Sequence, residues 1–486
     1  MPNFRPILFI IAIVLLALAA TMLIPAAVDY AYGNPDARVF LYSAAFTGAC
    51  GAALAWSARC HLHGGLSLRQ AFLLTPLTWT TTAAFAALPF QFGHFPDLSL
   101  NYANAFFETM SGLTTTGSTV LVGLDLTTEG ILLWRALLQW LGGIGIIGVA
   151  IAVLPALRVG GMQLFRTESS DRSQKVLPRA QQIAKAITAV YTGLTVICGL
   201  SYWLAGMTPF EAVVHALTSL SSGGFSTSDA SAGHFRNPVL HWLMTLFMLA
   251  GSLPFVLYVR TLTGQRDALW RDSQVRTYLT FLTAVILPLS LWLTLKHDYG
   301  FADALRLVAF NVVSVVTTTG YAYTDYSLWG NLAVGVFFGL TFIGGCTGST
   351  AGGIKIFRFE VMATVLRTHF LHLIYPRGVF PRQYGNRQLD DDVLGSVIVF
   401  FALFFTAYSV TTIALMALGL DFITSASAAV TALANVGPGL GDVIGPAGTF
   451  APLPDSAKWL LSLAMLLGRL ELFTVLVLFM PQFWRG

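Results

Sequence analysis

The chain has 486 residues, of which 55% are hydrophobic and only 10% are charged. Because soluble globular domains carry about 25% charged residues, this composition excludes an ordinary soluble protein and indicates an integral membrane protein. The net charge of +4 is small, and the basic residues lie in short loops rather than in one patch with interleaved aromatic residues. This charge pattern argues against nucleic-acid binding.

Ten segments are long and apolar enough to cross a membrane, since a helix needs about 20 apolar residues to span about 30 Å of hydrocarbon. The first segment is longer than the apolar part of a signal peptide and is predicted to be retained as a span. The ten predicted spans are 6–28, 38–58, 70–90, 131–155, 183–205, 238–259, 277–295, 332–357, 393–419 and 457–480.

Four shorter apolar segments lie between these spans, and each ends at a glycine-containing turn. They are too short to cross the membrane, so each is predicted to enter it and return on the same side. The predicted fold is an all-α integral membrane protein, an N-terminal hairpin followed by four span–pore-loop–span repeats around a central pore. The short segments are 101–116, 208–222, 302–319 and 422–436; the hairpin is 1–66 and the repeats are 67–160, 161–265, 266–375 and 376–486.

The loop charges predict the orientation, because Lys and Arg favour cytoplasmic loops. With the N-terminus inside, most of the 27 basic residues fall in cytoplasmic loops, chiefly 159–182, 260–276 and 358–392. Both termini are therefore predicted to be cytoplasmic, and the four turns to open to the outside. The run Asp390-Asp391-Asp392 predicts a helix start, since carboxylates complement the positive end of the helix dipole.

The four turns align on Gly117, Gly224, Gly320 and Gly437. A hydroxyl residue stands six positions before each glycine and an apolar residue four positions before it, which indicates an internal repeat. The predicted ion-binding residues are Thr115, Thr116, Gly117, Ser222, Gly223, Gly224, Thr318, Thr319, Gly320, Asn435, Val436 and Gly437.

Such turns suit a potassium ion. Non-helical backbone is tolerated inside a membrane only where it is buried in protein or lines a watery cavity. Rings of backbone carbonyls replace the water shell of potassium, and glycine permits a positive φ with no Cβ in the pore. Potassium is thus the predicted substrate, bound only at these turns, and no cofactor is predicted. The alternative, ordinary connecting loops, accounts for one such turn more readily than for four aligned copies.

A second glycine-rich stretch lies inside the eighth predicted span. Interior glycines weaken a helix by about 1 kcal/mol each, which favours an intramembrane loop, whereas close helix packing through small residues also explains them. The residues alone leave both interpretations open. A phosphate-binding Walker loop is excluded because the Gly-Lys-Ser/Thr ending is missing. The stretch comprises Gly344, Gly345, Cys346, Thr347, Gly348, Ser349, Thr350, Ala351, Gly352 and Gly353.

Arg469 lies near the middle of the tenth predicted span, where a charge costs a few kcal/mol. Two roles remain open for it, a cationic barrier in the pore and a structural arginine bonded to backbone carbonyls. Glu471 is not expected to be its partner, because side chains two positions apart do not share a helix face. His215 is expected to be a packing residue. Helix-start or vestibule charges are expected at Glu108, Glu211, Asp303 and Asp421.

These motifs resemble those of the Trk-type potassium uptake proteins, the superfamily of TrkH, TrkG and KtrB that is related to the plant HKT transporters. The resemblance covers essentially the whole chain and rests on the four turns, residues 344–355 and Gly468-Arg469-Leu470-Glu471. The N-terminal hairpin makes the chain more similar to ten-span TrkH than to eight-span KtrB. The resemblance implies that the turns form a selectivity filter and that the 344–353 loop and Arg469 gate it. Asn435 and Val436 depart from the other copies, so the implied symmetry is approximate.

The resemblance also implies a homodimer in the bacterial cytoplasmic membrane, in contact with lipid, with a cytosolic nucleotide-binding subunit of the TrkA type. Within this class a gated channel, a proton- or sodium-coupled symporter and a sodium-permeable relative remain open. A polytopic membrane enzyme is disfavoured, because such an enzyme needs clustered acid/base or metal-binding residues near a membrane face and the sequence offers none.

Overall fold

The computed structural model describes residues 4–59, 66–94, 101–152, 176–297, 299–384 and 387–485, and these are mostly helical. The α-helices are α1 (Arg5–Tyr32), α2 (Ala37–Ser57), α3 (Leu68–Ala86), α4 (Leu88–Phe92), α5 (Tyr102–Leu113), α6 (Glu129–Ala152), α7 (Val176–Leu204), α8 (Pro209–Leu220), α9 (Pro238–Gly251), α10 (Phe255–Leu262), α11 (Ala268–Arg271), α12 (Ser273–His297), α13 (Phe301–Val316), α14 (Asn331–Leu340), α15 (Ile356–Ile374), α16 (Asp391–Ala417), α17 (Phe422–Ala434), α18 (Gly441–Ile444), α19 (Asp455–Arg469), α20 (Phe473–Leu476) and α21 (Pro481–Trp484). Short 3₁₀ turns occur at Leu124–Leu126, Ser231–His234, Tyr326–Trp329 and Val477–Phe479, and β1 (Gln383–Tyr384) pairs antiparallel with β2 (Arg387–Gln388).

Six helical segments within the described ranges are long and apolar enough to cross a membrane, and the number rises to eight if each of two bent helix pairs is one span. The six segments lie in α1, α2, α3 with α4, α7, α12 and α16. The ten-span count and the repeat boundaries therefore stay predictions. The end of the predicted span 131–155, the boundary at 160/161 and the loop residues 159–175 lie outside the described residues.

The predicted span 238–259 is wrong as a single helix. Helix α9 ends at Gly251, α10 begins at Phe255, and the two meet at 94°. Pro254 explains the break, because proline lacks an amide donor and disfavours helical geometry in the residue before it. The bend leaves backbone carbonyls at the end of α9 free to accept hydrogen bonds from elsewhere.

The predicted span 457–480 is also broken. Helix α19 ends at Arg469, and the chain turns by 109° before α20. Glu471 and Leu472 have φ values of 62° and 41°, which no right-handed helix accommodates. Arg469 is consequently the last residue of a helix. Its position near the middle of a span stays a prediction, since the two helices on either side of the bend pass the test for a span only together.

The predicted span 332–357 is interrupted in its middle. Helix α14 ends at Leu340 and α15 begins at Ile356, so the glycine-rich stretch 344–353 is non-helical, as the loop interpretation requires. The predicted cytoplasmic loop 358–392 is helical in its first half, because α15 continues to Ile374, and its cytoplasmic position stays a prediction. The predicted helix start is confirmed: α16 begins at Asp391 with Asp390 at its N-cap.

The four short apolar segments form helices α5, α8, α13 and α17 in the interior of the molecule. Their cores belong to two hydrophobic clusters, one around α1, α3, α5, α6, α17 and α19 and the other around α7, α8, α9, α12 and α13. The two clusters meet at the end of α17, since Leu433 belongs to the first and Val436 to the second. The apolar repeat position is buried in every copy, at most 4% exposed, in Leu113, Leu220, Val316 and Leu433.

Candidate functional site

The short helices all end in the same backbone turn. The residue two positions before each key glycine is in the left-handed region, with φ of 51° at Thr115, 56° at Ser222, 57° at Thr318 and 55° at Asn435. This conformation costs a non-glycine residue about 1–2 kcal/mol. The same strained backbone conformation therefore occurs in all four turns. Strained backbone of this kind is concentrated at functional sites.

Backbone hydrogen bonds hold each turn to its helix. In every copy the amide just before the key glycine donates to the carbonyl of the hydroxyl residue five positions upstream, at 2.8–3.0 Å. This bond and the left-handed residue together form the Schellman type of helix end. The acceptor carbonyls belong to Ser111, Thr218, Ser314 and Thr431.

The four turns contact one another in a closed ring. A Cβ placed on each key glycine would meet a carbonyl oxygen of the next turn, far inside van der Waals contact in three cases and at 2.8 Å in the fourth. The glycine–carbonyl pairs are Gly117 with Gly223, Gly224 with Thr319, Gly320 with Val436, and Gly437 with Thr116. Close approach and positive φ thus both require glycine at these positions.

The fourth turn is joined to the first by side chains. The Asn435 Nδ2 group donates to Thr116 Oγ1 at 3.0 Å and to the Met465 carbonyl at 2.9 Å. Ser118 Oγ donates to the Gly437 carbonyl at 2.8 Å. Asn435, where the fourth copy departs from the Thr-Thr pattern, therefore links the fourth turn to the first.

The loop 341–355 lies directly against the second and third turns. The Gly352 amide donates to Thr318 Oγ1 at 2.6 Å. Thr350 Oγ1 lies 2.8 Å from Ser222 Oγ and donates to the Leu220 carbonyl at 3.0 Å. The loop is thus bonded to two of the four left-handed turn residues.

The bend between α9 and α10 anchors the same loop. The Thr350 amide donates to the Gly251 carbonyl at 3.2 Å, and the Cys346 amide donates to the Ser252 carbonyl at 3.0 Å. The Thr347 amide donates to Gln274 Oε1 at 2.9 Å. The carbonyls freed by the bend are therefore satisfied by loop amides, as buried backbone groups must be.

Arg469, at the end of α19, also contacts the loop. It is 3% exposed, and its Nη1 donates to the Thr350 carbonyl at 2.8 Å. Its Nε and Nη2 have no hydrogen-bond partner among the described residues. Gly468 lets the end of α19 approach, since a Cβ there would overlap the Leu433 carbonyl at the end of α17.

A cavity of about 40 Å³ beneath the turns is lined by three basic side chains and one carboxylate, from Lys355, Arg358, Arg469 and Glu471. Arg358 forms an ion pair with Glu471, and its guanidinium lies 3.6 Å from the centre of the Phe400 ring. Lys355 Nζ donates to the Ala351 carbonyl. The charges leave a positive excess, which opposes entry of a cation.

Arg358 is buried and has a partner that its position in the sequence does not indicate. Its predicted position is a cytoplasmic loop, whereas it is 2% exposed and paired. Its partner stands 113 positions away, so no local pattern identifies the pair. The available signal was the carboxylate of Glu471 inside an apolar segment, which requires a partner at membrane depth.

The acidic residues of the short helices divide into two groups. Glu211 forms a capping box with Thr208, Asp421 caps α17 and Asp303 lies in the first turn of α13, as predicted. Hydrogen bonds from Thr424 hold the pKa of Asp421 below its usual range, so it is ionised at the start of its helix.

The prediction of a helix-start or vestibule charge is wrong for Glu108. The prediction of a packing residue is confirmed for His215. Glu108 is fully buried and pairs with Arg135 of α6, with Nε 2.9 Å from Oε1. The buried ring of His215 bonds to the Glu211 carbonyl at 2.8 Å and to Ser226 Oγ at 3.0 Å.

The sequence is similar to those of known transport proteins. A model of the TrkH family, described as a cation transport protein, matches residues 37–485. The chain is 52% identical to the Trk system potassium uptake protein TrkI of Halomonas elongata over 484 residues, which cover 99% of this chain and 97% of that relative. It is 38% identical to TrkH of Escherichia coli over 491 residues, covering 99% and 100% of the two chains.

A solved structure is similar over the same length. The crystal structure of the potassium transporter TrkH from Vibrio parahaemolyticus matches with a TM-score of 0.91 at 35% sequence identity. The match covers 99% of this chain and 100% of the solved chain.

Proposed function

The chain belongs to the TrkH family of cation transport proteins, and we propose that it mediates selective potassium uptake across the cytoplasmic membrane of a bacterium. The observation that carries this proposal is the closed ring of four strained turns, each joined to the next at a glycine. Similar proteins are named as potassium uptake proteins, and the family is one of transporters rather than enzymes.

The turns are the proposed selectivity filter, with potassium as substrate. Backbone carbonyls around the ring replace part of the water shell of the ion. The carbonyl ends of α5, α8, α13 and α17 point into the turns, and their partial negative charge favours a cation there. The filter residues are Thr115, Thr116, Gly117, Ser222, Gly223, Gly224, Thr318, Thr319, Gly320, Asn435, Val436 and Gly437.

The loop 344–353 and Arg469 are the proposed gate. The loop is bonded to the second and third turns, and the guanidinium of Arg469 is bonded to the loop at Thr350. An ion that leaves the filter towards the cytoplasm meets this backbone and the positive cavity below it. Conduction then requires the loop to move and the charge of Arg469 to withdraw or be screened.

The proposed assembly is a homodimer of ten-span subunits with both termini in the cytoplasm. The basic segment 260–276 and the hairpin of β1 and β2 would face the cytosol in this topology. These surfaces are the proposed docking region for a cytosolic nucleotide-binding subunit of the TrkA type. The names of the relatives support a multi-component system, since they are called Trk system proteins.

Growth of a bacterial strain that lacks its own potassium uptake systems tests the function. Expression of this chain should restore growth at low potassium and rubidium uptake into the cells. In liposomes, potassium flux should exceed sodium flux, with and without a TrkA-type partner and nucleotides. Protein that reaches the membrane but restores neither growth nor rubidium uptake would contradict the proposal.

A further inference from the structure

The second turn differs from the other three in having two consecutive glycines. The position before the key glycine is Thr116, Thr319 or Val436 in the other copies but Gly223 here. In the first and third turns the threonine hydroxyl at this position bonds to a hydroxyl two positions upstream. These pairs are Thr114 with Thr116 at 2.7 Å and Thr317 with Thr319 at 2.8 Å.

The side chain of Gln139 occupies the space that Gly223 leaves open. A Cβ on Gly223 would overlap the Gln139 carboxamide. The Gln139 Nε2 group donates to the Gly223 carbonyl at 2.7 Å, and its Oε1 accepts from the Phe225 amide at 3.1 Å. Gln139 is fully buried. One carboxamide therefore holds the backbone on both sides of Gly224.

A primary amide supplies at once the donor that the Gly223 carbonyl needs and the acceptor that the Phe225 amide needs. Its NH₂ donor and its oxygen acceptor are bonded to the same carbon, whereas a carboxylate offers only acceptors and an aliphatic side chain offers neither. The Gly223 carbonyl is also the atom that Gly117 approaches across the boundary between the first and second turns. A displacement of Gly223 therefore changes the spacing of two turns in the ring.

The same face of α6 supports the segment that follows. Arg135, one helical turn before Gln139, donates through Nη1 to the Ser226 carbonyl at 2.9 Å and through Nη2 to Thr119 Oγ1 at 3.1 Å. Its guanidinium lies 4.0 Å from the centre of the Phe225 ring. Helix α6 thus holds both the second turn and the segment that leaves it.

We propose that Gln139 is a positioning residue for potassium selectivity, taking the structural place of the side chain that is missing at Gly223. The inference rests on the proposed function. Selectivity depends on the second turn keeping the spacing of the other three, and in this turn that spacing is set by a residue from a different helix. The first and third turns achieve it with hydroxyl pairs of their own.

Substitution at Gln139 tests the proposal. Gln139→Leu keeps the volume but removes both hydrogen bonds, and Gln139→Glu places a carboxylate against the Gly223 carbonyl. Gln139→Leu leaves two buried backbone groups without a partner, whereas Gln139→Glu keeps the acceptor for the Phe225 amide but sets two oxygens against each other at Gly223. Both variants should lower the potassium-to-sodium permeability ratio about tenfold. Gln182→Leu, at an exposed position of α7, is the matched control and should leave the ratio unchanged.

A rescue experiment separates positioning from general packing. Gly223→Ser should lose selectivity, because its Cβ meets Gln139. In the double variant Gln139→Ala with Gly223→Ser, the space is free and the new hydroxyl can pair with Ser221, as the threonines do in the first and third turns. This variant should be more selective than either single variant. A purely structural role for Gln139 predicts additive losses instead.

The outcomes distinguish this inference from the function on which it rests. A wild-type protein without potassium selectivity would overturn both. A selective wild type with an equally selective Gln139→Leu variant would overturn the inference alone. If Gln139→Leu fails to reach the membrane, a double variant no more selective than Gly223→Ser would overturn it in the same way.

Discussion

At Gly117 two constraints act on one residue. The φ of 85° strains any L side chain, and the carbonyl of Gly223 occupies the place of a Cβ. Gly117→Ser should therefore push the first turn away from the second and lower the potassium-to-sodium permeability ratio about tenfold, which corresponds to about 1.4 kcal/mol. Flux through proteoliposomes with each cation measures the ratio.

The matched control for this glycine is Gly193→Ser in α7, where no heavy atom lies within 4 Å of the added Cβ. It should leave the permeability ratio and the amount of protein in the membrane unchanged. An unaltered ratio in Gly117→Ser, with the protein properly inserted, would count against the assignment of these turns as the filter.

Arg469 acts through charge, through hydrogen bonding or through both, and its contacts allow the two to be separated. Its bond to the Thr350 carbonyl uses one nitrogen, while two others have no partner among the described residues. Arg469→Gln keeps a donor and removes the charge, whereas Arg469→Lys keeps the charge. If charge forms the barrier, Arg469→Gln should raise flux at least about tenfold and Arg469→Lys should not.

Potassium efflux from loaded proteoliposomes without a regulatory partner measures this barrier. Reduced flux in Arg469→Gln at normal expression would instead favour a structural role. An equal change of flux in Arg469→Gln and Arg469→Lys would mean that the barrier depends on the geometry of the guanidinium rather than on its charge.

At the scale of elements, Thr350 is the point at which the loop is held. Its hydroxyl shares one proton between two carbonyls, that of Leu220 and that of Gly251 at 2.9 Å, and accepts from Ser222 Oγ. Thr350→Val is nearly isosteric and removes these bonds, so the loop should open more often and flux should rise about fivefold. The permeability ratio should not change, because each turn keeps its own backbone bonds.

Ser349→Ala is the control for the loop, since the partner of Ser349 Oγ among the described residues is the Cys346 carbonyl of the same loop, at 2.7 Å. Its flux should match that of the wild type. A loss of selectivity in Thr350→Val would show that loop and filter are a single unit and would contradict their separate roles.

The short helices were predictable and the helix breaks were not. Helix α13 covers 301–316 against a predicted 302–319, because a short apolar run before a glycine turn is visible in composition. Hydropathy continues through residues 252–254 and 470–472, so averaging over a window conceals both bends. Only Pro254 gave a local signal for the first bend. The second depends on packing, since Gly468 must approach the Leu433 carbonyl.

The polar contacts behind the proposed filter could not be predicted from the sequence, for a different reason. The partners of Gln139 stand 84–86 positions away, in the second turn, and no repeat column includes α6. A repeat alignment shows what four copies share, whereas this side chain serves only one copy. The extra glycine at Gly223 was visible, but its meaning required a neighbour from another helix.

For the whole molecule, the charges below the turns bear on whether potassium moves only down its gradient. Among the described residues that line the cavity below the proposed filter, the carboxylate is Glu471, and it is paired with Arg358. A paired carboxylate is poorly suited to carry protons through each transport cycle, so we expect channel-like conduction without coupling. Liposomes with opposed potassium and pH gradients, held at zero voltage with equal sodium on both sides, should show only downhill potassium flux.

Uphill accumulation driven by the pH gradient would contradict channel-like conduction and indicate a proton symporter. Repeating the measurement with a sodium gradient in place of the pH gradient tests sodium coupling in the same way. Glu471→Gln distinguishes the roles of the carboxylate, because it removes a titratable group while keeping a hydrogen-bond acceptor for Arg358. In a channel this variant should change the probability of opening, whereas in a proton symporter it should abolish accumulation and leave downhill flux.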